Sequence, residues 1–274
     1  MTTTKRGEGA GRRSGMRLRL VLSLLPVLAA CGPAHGPDRS TWHGAVRPGA
    51  WVRVRNTNGP IRVARASGDE VVISATRSYR GRRPEPVRMV VEREGADAVA
   101  CVTWGDSNRC GSRGGRQPFW LRMLRHYAPT EMSFVVALPP GVRLDASTVN
   151  GRVTVADAAG EVVATSVNGS IVLGATGGPV RAKTVNGSVA AQLDALAPGT
   201  RVSLESVNGA VTALLPSALD ASLDLSTVNG RLTAPFPGVT IPRGARSLHT
   251  TLGAGGRAVS LHTVNGSVHA EPAR

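Results

Sequence analysis

The chain has 274 residues, a formal net charge of +15, 33 glycines and 18 prolines, and it is 41% hydrophobic but only 3% aromatic. So few rings exclude a bulky aromatic core and point to one or two β-rich domains built from small side chains. The charge is lopsided: residues 1–128 carry 23 Lys and Arg against 9 acids, whereas 129–274 carry 10 against 9.

The first segment reads as an export signal. Arg12, Arg13, Arg17 and Arg19 precede an apolar run over 20–30 that is too short to span a bilayer and is bounded by small residues. Leu28-Ala29-Ala30-Cys31 resembles the lipobox of bacterial lipoproteins. That resemblance implies cleavage before Cys31, leaving 1–30 as a signal peptide, with acylation of the Cys31 thiol and the new amino terminus. Met16 is a second candidate start. Residues 31–48, opening Gly32-Pro33-Ala34-His35-Gly36-Pro37, lack periodicity and are expected to form a flexible tether to an acyl anchor. Gly32, rather than Asp, after the cysteine is compatible with outer-membrane sorting if the cell is Gram-negative.

Residues 49–140 are expected to form a less regular β region, with alternation over 52–63, 71–76, 87–92, 98–103 and 132–138. Cys101 and Cys110 enclose a short loop and, in an exported chain, are expected to form a disulfide. Residues 108–130 read as an irregular insertion with one short helix around 121–126, and its Phe119, Trp120 and Tyr127 are expected to cap the end of a repeat stack. Arg77, Arg80, Arg82, Arg83 and Arg88, with Arg109, Arg113, Arg116, Arg122 and Arg125, would present a basic surface. Arg80, Arg82, Arg83, Arg113 and Arg116 are the anion-binding candidates, facing an anionic glycan, a lipid or an envelope protein. No recognised nucleic-acid motif accompanies the charge, so nucleic acid is not an expected partner.

Residues 141–274 are repetitive. Thr148-Val149-Asn150-Gly151 returns as Ser166-Val167-Asn168-Gly169, Thr184-Val185-Asn186-Gly187, Ser206-Val207-Asn208-Gly209, Thr227-Val228-Asn229-Gly230 and Thr263-Val264-Asn265-Gly266. Apolar or small residues stand six and four before each Asn, Ser or Thr two before it, and apolar residues three and five after it. Each unit therefore reads as a short strand, a corner where Asn and Gly tolerate positive φ, and a second short strand. The asparagines step by 18, 18, 22, 21 and 36 residues, and the last gap is expected to hide a degenerate copy at Thr250-Thr251-Leu252-Gly253. Upstream, Val52, Val54, Asn56, Asn58, Gly59, Ile61 and Val63 repeat the register. Two architectures fit: an all-β solenoid of 18–22-residue coils stacked on one another, which is favoured, and an antiparallel meander or sandwich in which each Asn-Gly is a hairpin turn.

Catalytic motifs are missing: no GxSxG, HExxH, P-loop or GxGxxG opens a recognisable site, so neither an enzyme nor a cofactor or metal is expected. Glu205 and Asp224 are the acids that stacking could bring together, and His249, His262 and His269 are expected as solvated surface histidines.

The Asn58-Gly59 unit, the cysteine loop and Val135-Val136-Ala137-Leu138-Pro139-Pro140-Gly141-Val142 leading into the Asn-Gly units resemble the bacterial β-strand-repeat domains grouped as candidate adhesins, related to the head-GIN domain. The resemblance covers about residues 48–270. It implies a right-handed β-solenoid, exported or surface-attached, with no catalytic residues to transfer. The expected function is a non-catalytic, lipid-anchored cell-envelope protein that acts as an adhesin or a binding and scaffolding module. The alternatives are a polysaccharide-active β-helix enzyme and a structural or stress-sensing envelope module.

Overall fold

The computed structural model describes residues 38–79, 87–104, 109–110, 130–158, 160–174, 178–194 and 196–273. Cys31, the expected signal peptide over 1–30, the anion-binding candidates Arg80, Arg82, Arg83, Arg113 and Arg116, and the expected helix around 121–126 lie outside them.

Val, Ile, Leu and Ala at alternate positions turn the described chain into strands throughout. The first seven are β1 (Asp38–Ala45), β2 (Trp51–Arg55), β3 (Ile61–Arg65), β4 (Glu70–Tyr79), β5 (Val87–Glu94), β6 (Asp97–Trp104) and β7 (Thr130–Leu138). The repeats follow as β8 (Arg143–Asn150), β9 (Val153–Ala156), β10 (Val162–Asn168), β11 (Ile171–Gly174), β12 (Val180–Asn186), β13 (Val189–Gln192), β14 (Arg201–Asn208) and β15 (Val211–Leu215). The last five are β16 (Ala221–Asn229), β17 (Leu232–Thr233), β18 (Ser247–Leu252), β19 (Ala258–Asn265) and β20 (Val268–Pro272).

Two ten-stranded mixed sheets result, ordered β1-β4-β7-β3-β9-β11-β13-β15-β20-β17 and β18-β16-β19-β14-β12-β10-β8-β2-β6-β5. Neither sheet closes on itself. Each Asn-Gly unit gives one strand to each sheet, so the corner joins two sheets instead of closing a hairpin, and like strands of different units pair in parallel. The asparagines stay in register, Asn150 opposite Asn168, Asn168 opposite Asn186 and Asn186 opposite Asn208. The upstream copy obeys the same register: Val52 pairs with Leu144, Ile61 with Val153, and Asn58 bridges to Asn150.

The interior is narrow. Leu144, Val162, Val180 and Val202 from one sheet and Val153, Ile171, Val189 and Val211 from the other are almost fully buried in one continuous core, as are the smaller Ala146, Ala164 and Ala182. Burying one valine or leucine side chain is worth about 1.5–3 kcal/mol, against about 1–2 kcal/mol of backbone entropy for each residue ordered. A unit with only four or so inward aliphatics therefore cannot stand alone, and stability accumulates by stacking.

Four expectations change. First, the tether expected over 31–48 contains β1, which pairs antiparallel with β4 along Asp38–Ala45 while Trp42 packs against the core. Second, the regions expected as separate, 49–140 and 141–274, share both sheets and one core, because β2 lies beside β8 and β3 beside β9. Third, Thr250-Thr251-Leu252-Gly253 is not a degenerate coil: β18 runs antiparallel to β16 and edges its sheet. Fourth, the units do not stack in chain order, since β19 lies between β14 and β16, and β20 between β15 and β17.

Candidate functional site

The repeated tetrapeptide builds one edge of the molecule, and each of its positions has its own physical task. The asparagine amides form a continuous ladder. Nδ2 of Asn150 donates to Oδ1 of Asn58, and the pattern continues through Asn168, Asn186, Asn208, Asn265 and Asn229, at 2.7–2.9 Å. A planar amide carries a donor and an acceptor on opposite sides at about the strand spacing, so identical amides satisfy one another when the rungs are in register.

The glycine at each corner is required by close approach. A Cβ on Gly187 would stand 2.5 Å from the carbonyl oxygen of Gly169, and Cβ atoms on Gly151, Gly169, Gly209, Gly230 and Gly266 would likewise collide with the carbonyl of the neighbouring corner. Positive φ, expected at both residues of the pair, is found at Gly59, Gly187, Gly209 and Gly266 but at none of the corner asparagines: among the described residues the only non-glycine with positive φ is Asp157. The Ser or Thr two before each Asn points inward and is buried. Its hydroxyl donates to a corner carbonyl: Ser166 to Gly151, Thr184 to Gly169, Ser206 to Gly187, Thr263 to Gly209 and Thr227 to Gly266, at 2.8–3.1 Å. In the upstream unit Asn56 takes over, donating from Nδ2 to the carbonyls of Gly59 and Met132 at 2.9 and 2.8 Å.

Between these inward positions, two outward rows cross the sheet that contains β8, β10, β12 and β14. One row holds Thr165, Lys183, Glu205, His262 and Ser226 on β10, β12, β14, β19 and β16. Beside it, next to the amide ladder, runs a valine row, of which Val167, Val185 and Val228 are exposed. Where the rows meet, Lys183, Glu205, Val207, His262 and Val264 line a shallow groove of about 260 Å³. Lys183 Nζ donates to Glu205 at 2.9 Å and this bond, with Arg181 nearby, holds the Glu205 carboxyl below its ordinary value of 4.5. Ser226 Oγ and His262 Nδ1 are hydrogen-bonded at 2.8 Å.

At the other end of the same sheet, Arg55 makes a two-pronged contact with Asp145 across the β2–β8 pair. Arg53 donates to Asp97 at 2.7 Å, and the Arg143 guanidinium lies 4.5 Å from the Trp51 ring centroid. The Trp51 backbone N–H donates to Asp97 at 2.8 Å, and that bond, with the Arg53 contact, lowers the Asp97 carboxyl below its ordinary value. These arginines are partnered and tie units together. Arg77, expected on the basic surface, is instead buried, donating to Asp38 and to the Val87 carbonyl at 2.5 and 3.2 Å. Arg88 is exposed, as are Arg39 on β1, Arg62 on β3 and Arg152 at the corner before β9.

Cys101 and Cys110 are joined in a disulfide, and Cys110 N–H donates to Glu92 at 2.9 Å. Glu205 and Asp224, the carboxylates that stacking could have united, stand on β14 and β16 with β19 between them. His249 on β18 pairs in register with Asp224, and β16 separates it from His262 on β19, while His269 lies in the other sheet. The hydroxyl-to-carbonyl row is not among the features that spacing predicts. Its signal was present as the invariant Ser or Thr two before each Asn, buried where an aliphatic would otherwise serve.

No protein-family model matches the chain, and no curated protein is significantly similar to it. Among solved structures, the chain is similar to a candidate cell adhesion protein from Clostridium sporogenes, at 11% identity and a TM-score of 0.45, covering 86% of this chain and 100% of that one. It is also similar to a candidate adhesin from Bacteroides fragilis, at 6% identity and a TM-score of 0.31, covering 85% of this chain and 97% of that one.

Proposed function

We propose that the chain is a non-catalytic envelope protein, held at a membrane by acylated Cys31, whose stacked units act as a β-solenoid and serve as a surface for adhesion or scaffolding. The observation that carries this reading is the amide ladder from Asn58 to Asn229. It locks the units in a common register, so the asparagines and the valines beside them recur in straight rows. A surface organised this way suits extended, repetitive ligands, which make the same contact several times and gain avidity without any single strong site. The Cys101–Cys110 disulfide supports an oxidising compartment. Exposed arginines such as Arg39, Arg62, Arg88 and Arg152 favour an anionic partner, an acidic glycan or lipid headgroup, and the outer membrane is the location if the cell is Gram-negative.

An array of glycans and lipid vesicles, probed with the mature domain at low and high salt, tests the binding surface. Capture by acidic glycans or anionic vesicles that weakens at high salt is expected; equal indifference to every acidic and neutral surface would overturn it. Replacing Cys31 by Ser tests the anchor, with release into the soluble fraction expected and unchanged membrane attachment against it.

A further inference from the structure

The corners contain seven Asn-Gly pairs, and Asn-Gly is the dipeptide in which a backbone nitrogen most easily attacks the preceding side-chain amide, since glycine offers no Cβ to hinder the approach. Six of the seven glycine N–H groups are engaged. Gly59 donates to the Asn150 carbonyl, Gly151 to Asn168, Gly169 to Asn186, Gly187 to Asn208, Gly209 to Asn265 and Gly266 to Asn229, at 2.7–3.1 Å. The bonds all run in one direction along the stack, so the unit at the far end has no further carbonyl to receive its own. That unit is Asn229-Gly230, and the Gly230 N–H has no hydrogen-bond partner among the described residues. Its asparagine is also the free end of the ladder: Asn229 Nδ2 donates to Asn265 Oδ1 at 2.8 Å, and among the described residues no further amide donates to Asn229 Oδ1. Asn229 is exposed, and the Arg246 guanidinium donates to the Gly230 carbonyl, so a cation stands on the same residue whose nitrogen must lose its proton.

We propose that Asn229-Gly230 is a site of spontaneous deamidation, singled out from its six sequence equivalents by its place at the open end. The Gly230 N–H gives its proton to hydroxide, the nitrogen bonds to the Asn229 side-chain carbonyl carbon, and the bond from that carbon to Nδ2 breaks as Nδ2 takes a proton from water and leaves as ammonia, regenerating hydroxide. Water then opens the succinimide at either carbonyl, giving aspartate or isoaspartate, with no oxidant or reductant required. The product carries a new negative charge at the end of the ladder and has lost the donor that held Asn265. At the other corners the same attack requires a backbone hydrogen bond to open first, which slows it by about tenfold.

The test is peptide mapping by mass spectrometry of the mature domain, aged folded at mildly alkaline pH, beside a sample aged in concentrated urea. In the folded sample, residue 229 is expected to convert about tenfold faster than residues 58, 150, 168, 186, 208 and 265. In urea the seven rates should converge, apart from the Asn followed by Gly-Pro. Uniform rates in the folded protein, or faster conversion at an internal corner, would overturn the proposal. So would an advantage for Asn229 that persists in urea, because the local sequence and not the open end would then be its cause.

Discussion

Replacing Thr184 by Val tests the claim that the row of inward hydroxyls, and not hydrophobicity alone, closes the corners. Thr184 is fully buried and its Oγ1 donates to the Gly169 carbonyl at 2.8 Å, the one hydrogen bond that carbonyl makes among the described residues. Valine has nearly the same shape, so the change removes the donor while leaving the packing in place. An orphaned, part-buried carbonyl costs about 1–2 kcal/mol. For a domain of this size each 1 kcal/mol moves the midpoint of thermal unfolding by about 2–4 °C, so a fall of about 2–8 °C is expected. The assay is circular dichroism melting of the mature domain with its disulfide intact. Thr165→Val is the control, because Thr165 points outward and is expected to change stability by less than about 0.5 kcal/mol. If Thr184→Val melts with the parent, or no lower than the control, water satisfies the carbonyl and the hydroxyl row has no structural task.

The ladder predicts a contrast between an inner and an end rung: Asn186→Ala removes two amide bonds and Asn229→Ala one, so the first should cost about twice the second, at about 1 kcal/mol per bond in urea unfolding. Equal losses would mean that the amides are decorative. Gly187→Ala forces a Cβ to within 2.5 Å of the Gly169 oxygen and should destabilise by about 2–3 kcal/mol, read as a lower urea midpoint with unchanged slope. An unchanged midpoint would reject close approach as the reason for glycine. Lys183→Met should raise the Glu205 midpoint toward 4.5 in a carboxyl NMR titration, because the Lys183 bond is the chief cause of its depression. A carboxyl lowered on folding stabilises the fold above its unfolded value and loses that contribution as pH falls through its folded value, so the parent should lose more stability than Lys183→Met on acidification below about pH 4.5. Identical acid sensitivity would show that the pair contributes nothing.

Much of the fold could be read from spacing, because period-two alternation anchored on a repeated corner identifies the inward residues without reference to the rest of the chain. Leu144, Ala146, Val153 and Val155 were found that way, and so was the upstream copy at Val52, Val54, Ile61 and Val63. The order of the units could not be read so simply. Leu223 and Leu225 fill the same two inward positions as Val259 and Leu261, so either unit fits beside Val202 and Leu204. The segment expected as a tether failed for a different reason: Asp38–Ala45 alternates weakly and is almost wholly exposed on one side, and only Trp42 and its pairing with β4 reveal it as a strand. Arg77 looked like surface because charge is usually solvated, yet its parity on β4, shared with Val71, Ile73 and Ala75, already placed it inward.

A physical reason for the insertion of the last unit lies in two prolines. After β17 the chain reads Ala234-Pro235-Phe236-Pro237, and an inner strand must offer N–H groups to the neighbours on both sides. Proline has none, so β17 stops after two residues, short of Pro235, and sits at the edge, whereas β20 lies inside and carries Pro272 only as its last residue. The final unit, with Val268, His269 and Ala270 free to pair both ways, fills the place between β15 and β17. Phe236 then folds in among the core residues, Val239 and Ile241 pack against that core, and β18 lies antiparallel along β16, so that the stack ends in apolar cover and a reversed strand. A parallel stack has no intrinsic length, and an uncovered last rung would invite another chain to continue it. The same arrangement that terminates growth leaves the Gly230 N–H without a hydrogen-bond partner among the described residues, which is why chemical wear is expected at that corner before any other.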